Sequence, residues 1–168
     1  MKIFLIGFMG SGKTYWGNKL SASAGIPFYD LDALIEAKAA SSIQRIFSDS
    51  GEDHFRKIEQ ETLYQSLQLG IAIVATGGGT PCFFDNMSWM NHHGCTVYLR
   101  IPAPILAERL KHEQQFRPLL AKVEAHLLER HIEILLAQRE PFYQQASIIL
   151  EYHDDEAAFL EELMQLIA

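Results

Sequence analysis

The chain has 168 residues, 48% of them hydrophobic, and a formal net charge of −7. Such a size and apolar content suit one α/β domain, residues 1–168, with a sizeable core; the acidic balance argues against a general nucleic-acid binder, which normally shows a basic face. No apolar run is long enough to span a membrane, and Cys82 and Cys95 are isolated, without metal-ligand spacing or a disulfide framework.

Met1-Lys2 leads straight into the apolar run Ile3-Phe4-Leu5-Ile6, so no secretory signal is expected and a reducing cytoplasm is the expected compartment. That run predicts a buried strand. Gly7-Phe8-Met9-Gly10-Ser11-Gly12-Lys13-Thr14 follows it and leads into a helical pattern over Tyr15–Ala24. This is a phosphate-binding loop between strand and helix. Its glycines let backbone amides curl inward as an anion nest, and the helix start adds unpaired N–H groups and a positive dipole end. Lys13 supplies a mobile cation for the β- and γ-phosphates, and the Thr14 hydroxyl is placed to ligate Mg²⁺. ATP and Mg²⁺ are the expected cofactors. Gly10, Ser11, Gly12, Lys13, Thr14 and Tyr15 form the expected nucleotide-binding segment.

Phe28-Tyr29-Asp30-Leu31-Asp32 reads as a short strand ending in two carboxylates, and Ala33–Ala40 as a helix. Asp32 could be an N-cap, or one aspartate could face the metal and the other a second substrate. Ser42–Phe47 is a short amphipathic turn. A longer helix opens near Gly51 and runs to about Leu69, with Phe55, Ile58, Leu63 and Leu67 as its buried stripe. Arg56 and Glu59 lie one turn apart on it and can pair, as a solvated surface pair or as something more. Ile71–Thr76 is a continuous apolar run of the kind found in central parallel strands. It stops at Gly77-Gly78-Gly79, where three glycines imply close backbone approach at the sheet edge that binds ligands.

Cys82–His93 is expected to be helical and partly buried, and His92-His93 has no partner cluster to make a metal site. Cys95–Ile101 is the next strand, and Pro102-Ala103-Pro104 starts a helix carrying Arg109. The polar stretch from His112, through Arg117, to Leu120 is a candidate lid. Lys122–Gln138 predicts a long helix, ended or kinked at Pro141. Ala146–Tyr152 predicts a strand and Asp154–Ile167 an acidic terminal helix. The order implies a three-layer α/β/α fold around a five-stranded parallel sheet.

Taken together, the phosphate loop, Asp30-Leu31-Asp32, Ser42-Ile43 with Ile46-Phe47, Gly51-Glu52 with Phe55-Arg56 and Glu59, Gly77-Gly78-Gly79, Arg117-Pro118-Leu119-Leu120, and Arg139 with Pro141 and Tyr143 resemble the shikimate kinase family along nearly the whole chain. The resemblance implies a P-loop kinase with a mobile lid over about 112–120, acting on ATP and shikimate to give shikimate 3-phosphate and ADP. It implies that Asp32, Arg56, Arg139 and the Gly77, Gly78 and Gly79 turn hold shikimate. Lys13 and Arg117 would then act on the ATP phosphates, with Arg109 at adenine, Thr14 as Mg²⁺ ligand and Asp30 as a carboxylate supporting that metal. A monomer without membrane or nucleic-acid partners is the family expectation. Two departures stand out. His153-Asp154-Asp155 occupies a place where the family often has an arginine near adenine, and the interval from Arg109 to Arg117 is about a residue longer than is usual in the family.

The residue chemistry agrees. Two arginines supply planar forks for a carboxylate, and Asp32 can accept a proton from a hydroxyl. Lys13, Mg²⁺ and Arg117 can neutralise a transferring phosphoryl group, and Glu59 is expected to orient Arg56. Rival readings are another small P-loop kinase, for gluconate or a nucleoside monophosphate, and a non-catalytic nucleotide-dependent switch.

Overall fold

The computed structural model describes residues 2–167. Five parallel strands form one sheet: β1 (Lys2–Ile6), β2 (Phe28–Asp30), β3 (Ala72–Ala75), β4 (Cys95–Arg100) and β5 (Ile148–Glu151), in the order β2-β3-β1-β4-β5. The seven α-helices among the described residues are α1 (Lys13–Ala24), α2 (Leu31–Ala39), α3 (Ile43–Gln65), α4 (Asn86–His93), α5 (Ala103–Leu110), α6 (Leu128–Tyr143) and α7 (Glu156–Ile167).

Alternation along β1 divides the core. Ile3 and Leu5 point to one face, where Trp16 and Leu20 of α1 and Phe159 and Leu163 of α7 cover them. Phe4 and Ile6 point to the other face, packed with Leu31, Phe55, Met90, Leu106, Ile132 and Tyr143 from the remaining five helices. Both faces of a parallel sheet are thus buried, as its continuous apolar strands require. Because β1 lies between β3 and β4, its carboxyl end sits where the chain's winding changes direction, and the functional loops gather at that edge.

Several local expectations are corrected. Helix α2 begins at Leu31, capped by Asp30 rather than Asp32: the Asp30 carboxylate accepts from the amides of Asp32 and Ala33. The turn at Ser42 and the long helix join as α3, broken at Gly51, whose φ of 80° is left-handed. Leu67 is exposed, since α3 ends at Gln65 and a 3₁₀ turn over Ser66–Leu69 shifts the side-chain rotation. The segment Cys82–His93 is α-helical only from Asn86, after a 3₁₀ turn that ends at Cys82. Strands β3 and β5 are shorter than their apolar runs. Helix α6 starts at Leu128, not Lys122: Glu124 is extended, with ψ 140°, and a 3₁₀ turn over Ala125–Leu127 comes before the helix, while the Gln114 side chain donates to the carbonyls of Leu120 and Val123. Pro141 does not end it. The proline's missing N–H falls opposite the carbonyl of exposed Ala137, where water can replace it. Helix α7 starts at Glu156, capped by Asp155.

Candidate active site

The loop between β1 and α1 delivers backbone donors rather than side chains. Gly12 is the N-cap of α1 with φ 90°, a conformation that side chains resist, and it contributes no side-chain cap. The first-turn amides of α1, from Lys13 on, therefore face the cleft without a capping partner. Lys13 is almost wholly buried, and its ammonium donates to the carbonyls of Gly7 and Phe8, each at 2.9 Å. Burial lowers its pKa to about 8, against the pull of Asp32 and Asp30.

The two aspartates meet at this loop because β2 turns into helix immediately after Asp30, cancelling the strand alternation. Asp30 uses one carboxylate oxygen to cap α2 and the other to accept from the Thr14 hydroxyl at 2.7 Å. Asp32 stands one residue on, its pKa pushed up to about 6 by burial and then by Asp30 and Glu59, with Lys13 and Arg117 pulling it back. Thr14 and Asp30 suit a magnesium ion carried mainly by nucleotide phosphates, which needs only one or two protein oxygens. Among the described residues no cluster of three or more His, Cys, Asp or Glu could cage a metal by itself. His92 and His93 turn their Nδ1 atoms to helix carbonyls of Ser88 and Trp89.

Gly10, Gly12, Lys13, Thr14, Tyr15, Asp30, Asp32, Arg109 and Arg117 line one cleft of about 600 Å³. At its far end Arg109 donates to the Gly10 carbonyl at 3.0 Å and lies over the Tyr152 ring, beside His153, Asp154 and Glu156. Arg109 and Arg117 thus share this cleft despite their longer spacing. Tyr15 and Lys19 of α1 both donate to Glu156 of α7, closing that end.

A smaller cavity of about 90 Å³ adjoins the cleft and shares Met9, Asp32, Gly77, Gly78 and Arg117 with it. Arg56 and Arg139 converge here from α3 and α6. Arg56 is 4% exposed, and its pair with Glu59 is no surface pair: Glu59 is fully buried, 2.9 Å away, and also accepts from Thr80 at 2.6 Å. Glu52 takes two more Arg56 donors, and the Phe83 ring covers the guanidinium at 4.0 Å. Three of five N–H donors are used, leaving two. Arg139 differs. It is 6% exposed, packs over Phe8 of the phosphate loop, and its Nη1 is buried with no partner. A buried, unpaired guanidinium nitrogen marks where a ligand anion belongs.

The glycine turn has a steric explanation. A side chain on Gly77 would meet Glu59 and Asp32 at 2.9 and 3.0 Å, one on Gly78 would lie 3.3 Å from Arg139, and one on Gly79 would strike Arg56 at 2.6 Å. None of the three adopts a positive φ. Close approach is the requirement.

The candidate lid is pinned at both ends by fully buried Leu110 and Leu120, and its Arg117 is tied to Glu113 at 2.9 Å. Glu52, Phe83, Glu113 and Glu156 carry no assigned role in the sequence reading. The i, i+4 spacings Glu52–Arg56 and Glu113–Arg117 were available as a signal; Phe83 and Glu156 had none, because their partners are distant in the chain.

A family model for shikimate kinase matches residues 9–168. A shikimate kinase of Parabacteroides distasonis is 41% identical over 150 residues, covering 89% of this chain and 87% of the relative. A crystal structure of shikimate kinase from Bacteroides thetaiotaomicron superposes with a TM-score of 0.91 at 36% identity, over 99% of this chain and 97% of that one. Shikimate kinase from Acinetobacter baumannii, solved in complex with shikimate, also reaches 0.91, at 33% identity over 99% and 92%. A gluconokinase from Sinorhizobium meliloti, at 18% identity and a TM-score of 0.62, shares the fold alone. The sequence motifs, the sheet order and these likenesses agree: the chain belongs to the shikimate kinase family.

Proposed function

We propose that the chain transfers the γ-phosphoryl group of ATP to the 3-hydroxyl of shikimate, with the large cleft holding ATP and the small cavity holding shikimate. The observation that carries this assignment is their shared wall. Asp32, Gly77, Gly78 and Arg117 border both spaces, so donor and acceptor meet where a proton acceptor and a mobile cation already stand.

Asp32 orients the acceptor hydroxyl and takes its proton. Its raised pKa places it nearer neutrality than an ordinary carboxylate, which suits a general base. Lys13 and the loop amides bind the phosphates, and Arg117 leaves Glu113 to join them as the segment 112–120 closes and excludes water. Arg139 and Arg56 fix the shikimate carboxylate, and Arg109 lies against the base. When bound, Mg²⁺ supplies charge neutralisation between the phosphates, with Thr14 as its protein ligand and Asp30 holding the Thr14 hydroxyl.

We infer a single-domain monomer of the cytoplasm, without nucleic-acid or membrane partners. One sheet with two flanking cores supports the single domain, and the net charge of −7 supports a small-molecule role. No helix among the described residues is long and apolar enough to cross a membrane. A coupled assay of ADP release over shikimate, gluconate and nucleoside monophosphates, with phosphorus NMR of the product, tests the reading. Release with shikimate alone and a 3-phosphate product are expected; release with another acceptor in its place would refute it.

A further inference from the structure

The small cavity has two walls that are far apart in sequence: the glycine turn after β3, and α6, which carries Arg139. One buried hydrogen bond joins them. Tyr143, one turn beyond Arg139 on α6, is fully buried, lines neither cavity, and donates its hydroxyl to the Gly78 carbonyl at 2.5 Å. Its ring packs on Tyr98 with centroids 4.9 Å apart, while Tyr98 donates elsewhere, to Glu140 at 2.7 Å. Burial raises the Tyr143 phenol far above its ordinary range, so it remains a donor at any working pH.

The consequence follows from peptide geometry. The Gly78–Gly79 peptide is trans, so a carbonyl held toward Tyr143 turns the Gly79 N–H to the opposite side. No backbone carbonyl among the described residues takes the N–H of Gly77, Gly78 or Gly79. The same peptide joins the two glycines that abut the arginines, Gly78 beside Arg139 and Gly79 beside Arg56. Three glycines in a row have wide conformational freedom, and without the hydroxyl nothing else shown fastens this carbonyl.

We propose that Tyr143 is a positioning residue for the phosphoryl acceptor: its hydroxyl locks the Gly78–Gly79 peptide, presenting the turn's amides and Arg139 to the acceptor in one preset arrangement. The inference rests on the reading of the small cavity as the acceptor site. Loss of the hydroxyl leaves the turn to sample other orientations, and acceptor affinity falls by the fraction of molecules that remain competent.

Tyr143→Phe keeps the ring and its packing while removing the bond. The expected result is a roughly tenfold rise in KM for shikimate, with KM for ATP unchanged and kcat within about threefold of the parent. Tyr98→Phe removes a buried hydroxyl from the same aromatic pair without touching the turn, and is expected to leave KM for shikimate unchanged. Thermal unfolding of both variants is recorded alongside. An unchanged KM for shikimate in Tyr143→Phe overturns the proposal, as does an equal rise in both variants, which would mean general loosening of α6. Failure of the underlying acceptor assignment looks different: the parent itself would release no ADP with shikimate.

Discussion

The donor cleft and the acceptor cavity are built on opposite plans. The phosphate end of the donor side comes from one uninterrupted stretch, Gly7 to Thr14, and works through backbone amides and a helix start. The acceptor side is assembled from α3, the β3 turn, α6 and the lid, and works through side chains. Their charges differ as well. Lys13 is held by neutral groups of its own loop, the carbonyls of Gly7 and Phe8 and the Ser11 hydroxyl, whereas Arg56 is already paired to Glu52 and Glu59, and Arg139 holds a buried nitrogen in reserve. A site made from contiguous backbone is ready by virtue of its local conformation. One made from converging side chains must carry its own supports, and these supports have uses beyond ligand binding.

The two arginines break this comparison most sharply. Arg139→Ala removes a buried cation whose Nη1 has no protein partner, so shikimate affinity should fall by about 2–5 kcal/mol, roughly 30- to several-thousand-fold, while the fold loses little. Arg56→Ala should weaken shikimate as well, but it also strands fully buried Glu59, and breaking such a pair costs about 3–5 kcal/mol of stability. Calorimetric titration with shikimate and with ADP, together with thermal unfolding, separates the two. A larger drop in melting temperature for Arg139→Ala than for Arg56→Ala would reverse the assignment of ligand cation and structural cation.

Next in size is Lys13→Met on the donor side. Removal of one transition-state charge partner should lower kcat by about 100- to 1,000-fold with the fold intact. Near-parental turnover would show that the phosphate loop binds without contributing to catalysis.

The dependence on pH sharpens the contrast between groups tuned for chemistry and groups tuned for the fold. For the free enzyme, kcat/KM should fall below about pH 6 as Asp32 takes a proton, and above about pH 8 as Lys13 loses one. One unit below the acidic limit the loss is about tenfold. Both tunings work against stability at neutral pH. Asp32 binds its proton more tightly folded than unfolded, so its contribution is full below its ordinary 3.8 and lost as pH rises through about 6. Lys13 has the opposite sign: its folded value lies below 10.5, so its penalty stands below about pH 8 and is relieved as pH rises toward 10.5. Asp32→Asn should therefore be inactive yet melt no lower than the parent at pH 7.5. A clear fall in its melting temperature would identify Asp32 as a structural carboxylate.

The smallest expected effect concerns the lid. Glu113→Gln frees Arg117 and removes a negative charge from the cleft, so ADP should bind about two- to fivefold more tightly at low salt, the scale of an exposed ion pair. Weaker ADP binding in the variant would mean that Glu113 holds Arg117 in place for the phosphates instead of away from them.

Some features were set by the sequence on its own. The phosphate loop, the parallel sheet and the chain order of the site residues were legible because each depends on local spacing: an eight-residue loop, unbroken apolar runs, and alternating strands and helices. Close approach at Gly77–Gly79 was legible too, since three glycines at a strand end have little other use. What approaches them was not. The arginines and carboxylates that fill those spaces come from other elements of the chain, and only packing α3 and α6 onto the sheet brings them there. The same holds for the unequal states of Arg56 and Arg139, which read alike as residue types. It holds also for Asp30 and Asp32, whose shared cleft depends on a strand turning into a helix between them. Tertiary structure decided these because burial and pairing are properties of the assembled neighbourhood, to which nearby sequence contributes only a part.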